Sequence, residues 1–242
     1  VSDEMKLIDV VNLKILKSYV PADVMIMAGG KGTRLRPFTG VLPKPLLLYK
    51  GIPIIEHVIK SFLRYKIFNF ICSLNYKSYL IKAFFKEKKL PINLKYIEEK
   101  KPLGTAGSLK MLKNKTKDIL VTNSDTILNF DLNKILKYHK KSSNDLTIIC
   151  AKLPIQIPYG VVETRKKNIF NKINEKPKNS YLANVGTYLI NSKLISLIPK
   201  KDKIYNMTDL ISDAKKNKKK LGVFKIPQKS WLDLGNLKNF SN

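Results

Sequence analysis

The chain has 242 residues, 44% hydrophobic and 26% charged, with 46 Lys and Arg against 18 Asp and Glu and a formal net charge of +28. That length and apolar share suit one large soluble α/β domain with a sizeable core. No apolar run approaches the roughly 20 residues needed to span a bilayer, and no signal-peptide pattern opens the chain.

The positive charge invites a nucleic-acid reading, but its distribution argues against one. Lysine is scattered through nearly every segment beside many Ile and Asn residues, as an AT-rich coding sequence produces, and no basic stretch is interleaved with stacking aromatics. The densest run, Lys215-Lys216-Asn217-Lys218-Lys219-Lys220, reads as the solvated end of a helix. Neither nucleic acid nor membrane is expected as a partner, whereas a positive field speeds the encounter with phosphorylated small molecules. Cys72 and Cys150 each sit inside an apolar run, so they are expected as buried, reduced thiols of a cytoplasmic protein.

In chain order, Lys6 to Val11 predicts a short strand and Asn12 caps a helical turn through Leu13 and Leu16. This strand-then-helix ending resembles the last element of a CBS (adenine-nucleotide-sensing) domain. Together with Val1 in place of an initiator Met, it leads us to expect that residues 1–20 are a linker and remnant of an N-terminal domain, and that residues 21–242 form one further domain. From there, strands and helices alternate. Asp23 to Ala28 is a near-continuous apolar run, as in a strand buried on both faces. Ile54 to Tyr65 has helical apolar spacing, with His57 on its face. Phe68 to Leu74 predicts a strand, Tyr79 to Phe85 a helix, Leu94 to Ile97 a strand, and Ala106 to Leu112 a helix. Asp118 to Thr122 predicts a strand, Leu132 to Tyr138 a helix capped by Asp131 and carrying His139, and Leu146 to Ala151 a strand. Beyond Pro154 the pattern becomes mostly extended, at Val161–Thr164, Ile169–Asn174, Val185–Ile190 and Val223–Ile226, with a helix near Asp209–Lys215. The βαβ alternation predicts an α/β fold with a predominantly parallel, mixed central sheet flanked by helices.

The chemistry concentrates after the first strand, in Ala28-Gly29-Gly30-Lys31-Gly32-Thr33-Arg34-Leu35-Arg36-Pro37, followed by Leu42-Pro43-Lys44-Pro45-Leu46. A glycine-rich cationic loop offers backbone N–H groups and positive side chains to phosphate oxygens. It is neither a dinucleotide fingerprint, since Leu35 stands where a third glycine is needed, nor a P-loop, which needs Gly-Lys-Ser/Thr. Arg34 suits bidentate phosphate contact, and the prolines flanking Lys44 stiffen its backbone. Asp125, in Thr122-Asn123-Ser124-Asp125, follows an apolar strand, where the ligand face of a parallel sheet lies. The two histidines, on helix faces, are expected to be structural.

The glycine loop and the Pro-Lys-Pro-Leu that follows it resemble the signature of the sugar-nucleotidyltransferase family. Those enzymes have a Rossmann-like (GT-A-like) fold and make an NDP-sugar and pyrophosphate from an NTP and a sugar-1-phosphate. The resemblance implies that Ala28, Gly29, Gly30, Lys31, Gly32, Thr33 and Arg34 wrap the triphosphate, and that Lys44 reaches the α-phosphate. It implies a Mg²⁺ held by Asp125 and by Asp233, the latter in Trp231-Leu232-Asp233-Leu234-Gly235-Asn236, which is similar to the family's Trp-x-Asp-Ile-Gly-Thr. Arg34, Lys44, Asp125 and Asp233 are the expected catalytic residues. Ser124 and Asn236 depart from the family's Gly and Thr. Pro102-Leu103-Gly104-Thr105-Ala106-Gly107 resembles the nucleotide-base loop in its guanylyltransferase form. Gly104 and Thr105, with Asn123, are therefore expected at the nucleotide, and GTP is favoured over the other NTPs.

Tyr159-Gly160-Val161-Val162-Glu163, Glu175-Lys176-Pro177 and Asn184-Val185-Gly186-Thr187-Tyr188 resemble the acceptor pocket. They imply that Gly160, Glu175, Asn184 and Gly186 meet the sugar and that Lys176 meets its phosphate. Glucosamine-, mannose- and heptose-1-phosphate guanylyltransferases share these motifs. The CBS-like start tilts the expectation towards the glucosamine-1-phosphate enzymes that feed bacterial legionaminic acid.

Overall fold

The computed structural model describes residues 22–112 and 118–235. The strand and turn predicted within residues 6–17, and the departure at Asn236, lie outside the described residues.

The principal elements are β1 (Asp23–Met27), α1 (Ile54–Leu63), β2 (Asn69–Leu74), α2 (Ser78–Lys88), β3 (Asn93–Glu98), β4 (Ile119–Asn123), β5 (Thr126–Leu128), α3 (Leu132–Lys141), β6 (Leu146–Gln156), β7 (Val161–Thr164), β8 (Phe170–Asn174), β9 (Lys178–Ile190), α4 (Met207–Lys216), β10 (Leu221–Ile226) and β11 (Trp231–Asp233). Seven strands form the central sheet in the order β10-β6-β9-β4-β1-β2-β3. The pairs β1–β2, β1–β4, β2–β3 and β6–β10 are parallel, and β9 runs antiparallel to both β4 and β6.

Alternation along β1 sends its side chains to two separate cores. Val24 and Ile26 join a cluster with Ile54, Ile55, Val58, Ile59 and Phe62 of α1. Met25 points the other way, to Leu210 and Ala214 of α4. Both faces of the strand are therefore dry, which is why its sequence is apolar almost throughout. Asp131 caps α3 as expected, its side chain accepting from Asn133 N–H. The expected helix at Ala106–Leu112 begins two residues earlier, as a helical turn over Gly104–Gly107 that tightens into a 3₁₀ turn over Ser108–Met111.

Three features depart from the sequence pattern. β6 and β9 extend well past their apolar segments and pair as a ribbon, from Lys178 opposite Gln156 to Ala183 opposite Ala151. β10 accompanies β6 only as far as Ala151, so Pro154 sits where β6 has no neighbour on that side and its missing N–H breaks no ladder. β7 and β8 pair only with each other, and the short β5 pairs antiparallel with β11.

Candidate functional site

The loop after β1 emerges at the C-terminal edge of the parallel strands. Gly32 has φ +64°, and a Cβ there would come within 2.9 Å of Thr39 Cγ2 and 3.1 Å of Lys44 Cβ, so this turn admits only glycine. The buried Thr39 donates its hydroxyl to Gly32 O at 3.0 Å, and the buried Leu35 pins the loop to the protein. Pro45 and Leu46 are also buried, which fixes where the Lys44 side chain starts. Lys44 extends to the buried carboxylate of Asp125 and pairs with it.

Asp233, more than a hundred residues later in the chain, reaches the same place through the small β5–β11 ladder. Asp233 stands opposite Thr126, and Leu234 N–H donates to Asp125 O at 2.9 Å. Asp233 Oδ1 accepts from Gly235 N–H at 2.7 Å. A Cβ on Gly235 would lie 2.7 Å from Asp125 Oδ2, 2.8 Å from Asp233 Oδ1 and 2.9 Å from Lys44 Nζ. Two carboxylates and one ammonium thus converge on a point that only glycine leaves open. Among the described residues there is no cluster of three or more Asp, Glu, His and Cys side chains fit to hold a metal. The donor set is two hard oxygens, which suits a Mg²⁺ that completes its shell with waters and phosphate oxygens.

A cleft of about 310 Å³ opens beside this point. Of the residues expected at the nucleotide and the metal, Gly29, Gly30, Gly32, Thr33, Arg34, Lys44, Gly104, Thr105, Asn123 and Asp125 line it. Three residues expected at the nucleotide or the metal do not line it: Ala28, Lys31 and Asp233, the last of which reaches Gly235 from β11. Ala28 is buried and commits its N–H to Ser73 O at 2.9 Å, because it still continues the β1 ladder. Lys31 is exposed at the outer turn of the loop and is not part of the wall.

The residues expected at the acceptor fall into two groups, and none of them lines that cleft. Asn184 and Gly186 lie on a bulge of β9, where Gly186 has φ +76° and packs against the Asn123 carboxamide. Asn184 accepts from Gly186 N–H at 3.0 Å and donates to Tyr188 Oη at 2.6 Å. This bulge therefore abuts a cleft residue directly. Gly160, Glu175 and Lys176 lie around the β7–β8 hairpin, where a Cβ on Gly160 would meet Glu175 Oε2 at 2.8 Å, and Lys176 has φ +43°.

Glu99 was not anticipated. It is 8% exposed, lines the cleft, accepts from the Ser73 hydroxyl, and accepts from Leu103 N–H at 2.9 Å. It sits just past the end of β3, the same strand-end position that marked Asp125, so the sequence did carry a signal for it. The histidines are structural: His57 Nε2 donates to Tyr49 O at 2.8 Å, and His139 is buried against Thr147 Oγ1 at 2.8 Å. Burial holds the His139 pKa below its usual value against the opposing pull of Asp118 and Asp145. Burial likewise pushes the Cys72 thiol up to about 12, so it is inert as a nucleophile.

Residues 23–242 match the nucleotidyl transferase family along nearly the whole chain. The chain belongs to that family. It is 31% identical over 226 residues to mannose-1-phosphate guanyltransferase 2 of Candida glabrata, and 33% identical over 227 residues to the mannose-1-phosphate guanyltransferase of Pichia angusta. Each alignment covers 89% of this chain but only 62% and 61% of those proteins, so the chain spans about three-fifths of the length of these curated relatives. Among solved structures it is similar to HddC from Yersinia pseudotuberculosis, with a TM-score of 0.69 and 26% identity over 90% of this chain and 96% of that one. The same protein complexed with GMP-PN gives a TM-score of 0.67 at 25% identity. Among the described residues, no helix is long and apolar enough to cross a membrane.

Proposed function

We propose that this nucleotidyl transferase is a sugar-1-phosphate guanylyltransferase, which moves GMP from GTP to a sugar-1-phosphate and releases pyrophosphate. The observation that carries the reading is the meeting of Lys44, Asp125 and Asp233 at Gly235, beside a glycine loop that lines a cleft. A phosphate oxygen of the acceptor attacks the α-phosphorus of GTP in line. The new P–O bond forms as the bond to the β-phosphate oxygen breaks, and that oxygen leaves with pyrophosphate. The attacking oxygen is already anionic near neutral pH, so the protein supplies alignment and charge rather than a general base. Arg34 and the N–H groups of the loop hold the triphosphate, and Lys44 neutralises charge at the α-phosphate. Asp125 and Asp233 are the residues that would hold Mg²⁺, which supplies Lewis-acid polarisation of phosphate oxygens when bound.

Glu99 supports the choice of GTP. An ionised carboxylate only accepts hydrogen bonds, and its four or so lone-pair sites are not exhausted by Ser73 and Leu103. Guanine presents two adjacent donors, N1–H and the N2 amine, on its pairing edge; adenine and uracil each present one. For the acceptor, the relatives' activity favours mannose-1-phosphate, while the CBS-like residues 1–20 favour glucosamine-1-phosphate for legionaminic acid synthesis.

The test is pyrophosphate release with each NTP against mannose-, glucosamine- and heptose-1-phosphate, with Mg²⁺ and with EDTA. Turnover with GTP and one acceptor, abolished by EDTA, is the expected result. Absence of turnover with every pair would overturn the reading.

A further inference from the structure

The nucleotide-base loop is secured from outside the cleft, by a segment that no motif pointed to. The Gly104–Gly107 turn is only four residues long, so its N–H groups lack partners within it. Residues 205–207 provide them. Ala106 N–H and Gly107 N–H both donate to Tyr205 O at 3.0 Å, and Tyr205 N–H donates to Leu103 O at 2.8 Å. Thr105 N–H donates to the Asn206 side-chain oxygen at 3.3 Å, and Met207 N–H donates to Thr105 Oγ1 at 2.9 Å. Gly104, at φ +80°, is wedged so tightly that a Cβ would sit 2.7 Å from Tyr205 O and 2.8 Å from Asn206 Oδ1. The Tyr205 hydroxyl donates to Asp213 Oδ2 at 2.7 Å, tying the segment to α4.

Asn206 also begins α4, where it forms a capping box with Asp209, whose Oδ2 accepts the Asn206 N–H at 2.7 Å. One side chain therefore joins the first turn of a core helix to a loop whose Gly104 and Thr105 line the cleft. We propose that Asn206 is a positioning residue for the nucleotide: its carboxamide oxygen sets the Gly104–Thr105 backbone at the spacing the base and ribose require. Asn206 does not itself line the cleft, and it acts through Thr105. This inference rests on the guanylyltransferase reading above.

The helix cap and the loop contact are separable by substitution. Asn206→Ser keeps a capping hydroxyl but is too short to hold Thr105 N–H. Asn206→Asp keeps an acceptor for both. Asp209→Ala removes half of the capping box and leaves the Thr105 contact alone. GTP affinity is measured by calorimetry on each, with thermal melting alongside. Loss of one net hydrogen bond behind the loop weakens GTP binding about 3- to 10-fold in Asn206→Ser, with kcat and the sugar-phosphate KM close to wild type. Asn206→Asp restores the affinity, and Asp209→Ala lowers the melting temperature while GTP affinity stays at the wild-type value. Equal GTP affinity in Asn206→Ser and wild type, or the same loss in Asp209→Ala, overturns the proposal. A wild-type chain that binds no guanine nucleotide overturns the guanylyltransferase reading, and this inference with it.

Discussion

The two ends of the site are built differently. The proposed nucleotide end rests on the parallel sheet: Val24 and Ile26 are fully buried, and Lys44, Asp125 and Glu99 form part of the cleft wall itself. The proposed sugar end rests partly on the β7–β8 hairpin, where Val162, Phe170 and Ile173 are more than half exposed. Its side-chain bonds, such as Glu163 to Lys172 and Arg165 to Asn171, lie on the surface. Exposed pairs of that kind contribute about 0–1 kcal/mol each, and a lone two-stranded ribbon is marginally stable in water. Groups proposed to meet developing charge are thus held by burial and by ladder hydrogen bonds, while some of those proposed to choose the acceptor stand on a largely exposed two-stranded ribbon. A preorganised charge site loses rate when disturbed, whereas an adaptable one loses affinity.

This contrast can be broken most directly at the acidic pair. Asp125→Asn unpairs the half-buried Lys44 and removes an oxygen proposed for Mg²⁺, and kcat is expected to fall by more than about 10³-fold. Breaking a buried pair also costs about 3–5 kcal/mol of stability, so melting curves must accompany the kinetics. Asp233→Asn lowers kcat comparably but leaves the Lys44–Asp125 pair in place, and therefore melts closer to wild type. Lys44→Ala is next, with a loss of about 10²–10³ in kcat and a smaller change in the GTP KM. Glu99→Gln replaces an acceptor-only group with one that also donates, and lowers the GTP-over-UTP preference in kcat/KM by about 10- to 100-fold. At the sugar end, Glu175→Ala raises the sugar-phosphate KM by about 3- to 10-fold with kcat nearly unchanged. A Glu175 variant that instead lost kcat as severely as Lys44→Ala would show that the hairpin is as rigidly coupled to the chemistry as the sheet, and the contrast would fail.

The parallel half of the fold was legible because local chemistry marked it. Strands buried on both faces are apolar runs, the helices between them carry 3.6-residue periodicity, and Gly32 and Gly104 stand where the backbone turns left-handed. The second half was legible only in outline. β9 begins at Lys178 among exposed residues, and the ribbon it makes with β6 has no dry face to impose a pattern. Ala28 matched a motif, yet its N–H was already taken by the sheet, which no motif discloses. Glu99 was visible as a carboxylate at a strand end but passed unnoticed among the charges of Glu98-Glu99-Lys100-Lys101.

Taken alone, the amino-acid order determined the α/β class, the glycine-rich cationic loop and the carboxylates worth watching, because backbone conformation and burial leave their marks within a few neighbouring residues. Only the folded chain decided that Asp233 meets Asp125 across a three-residue ladder, that Gly235 keeps the space between them clear, and that residues 205–207 brace the Gly104–Gly107 turn. Those are contacts between segments about a hundred residues apart, and they exist because strands and turns with no strong pattern of their own are brought side by side by the sheet they hang from.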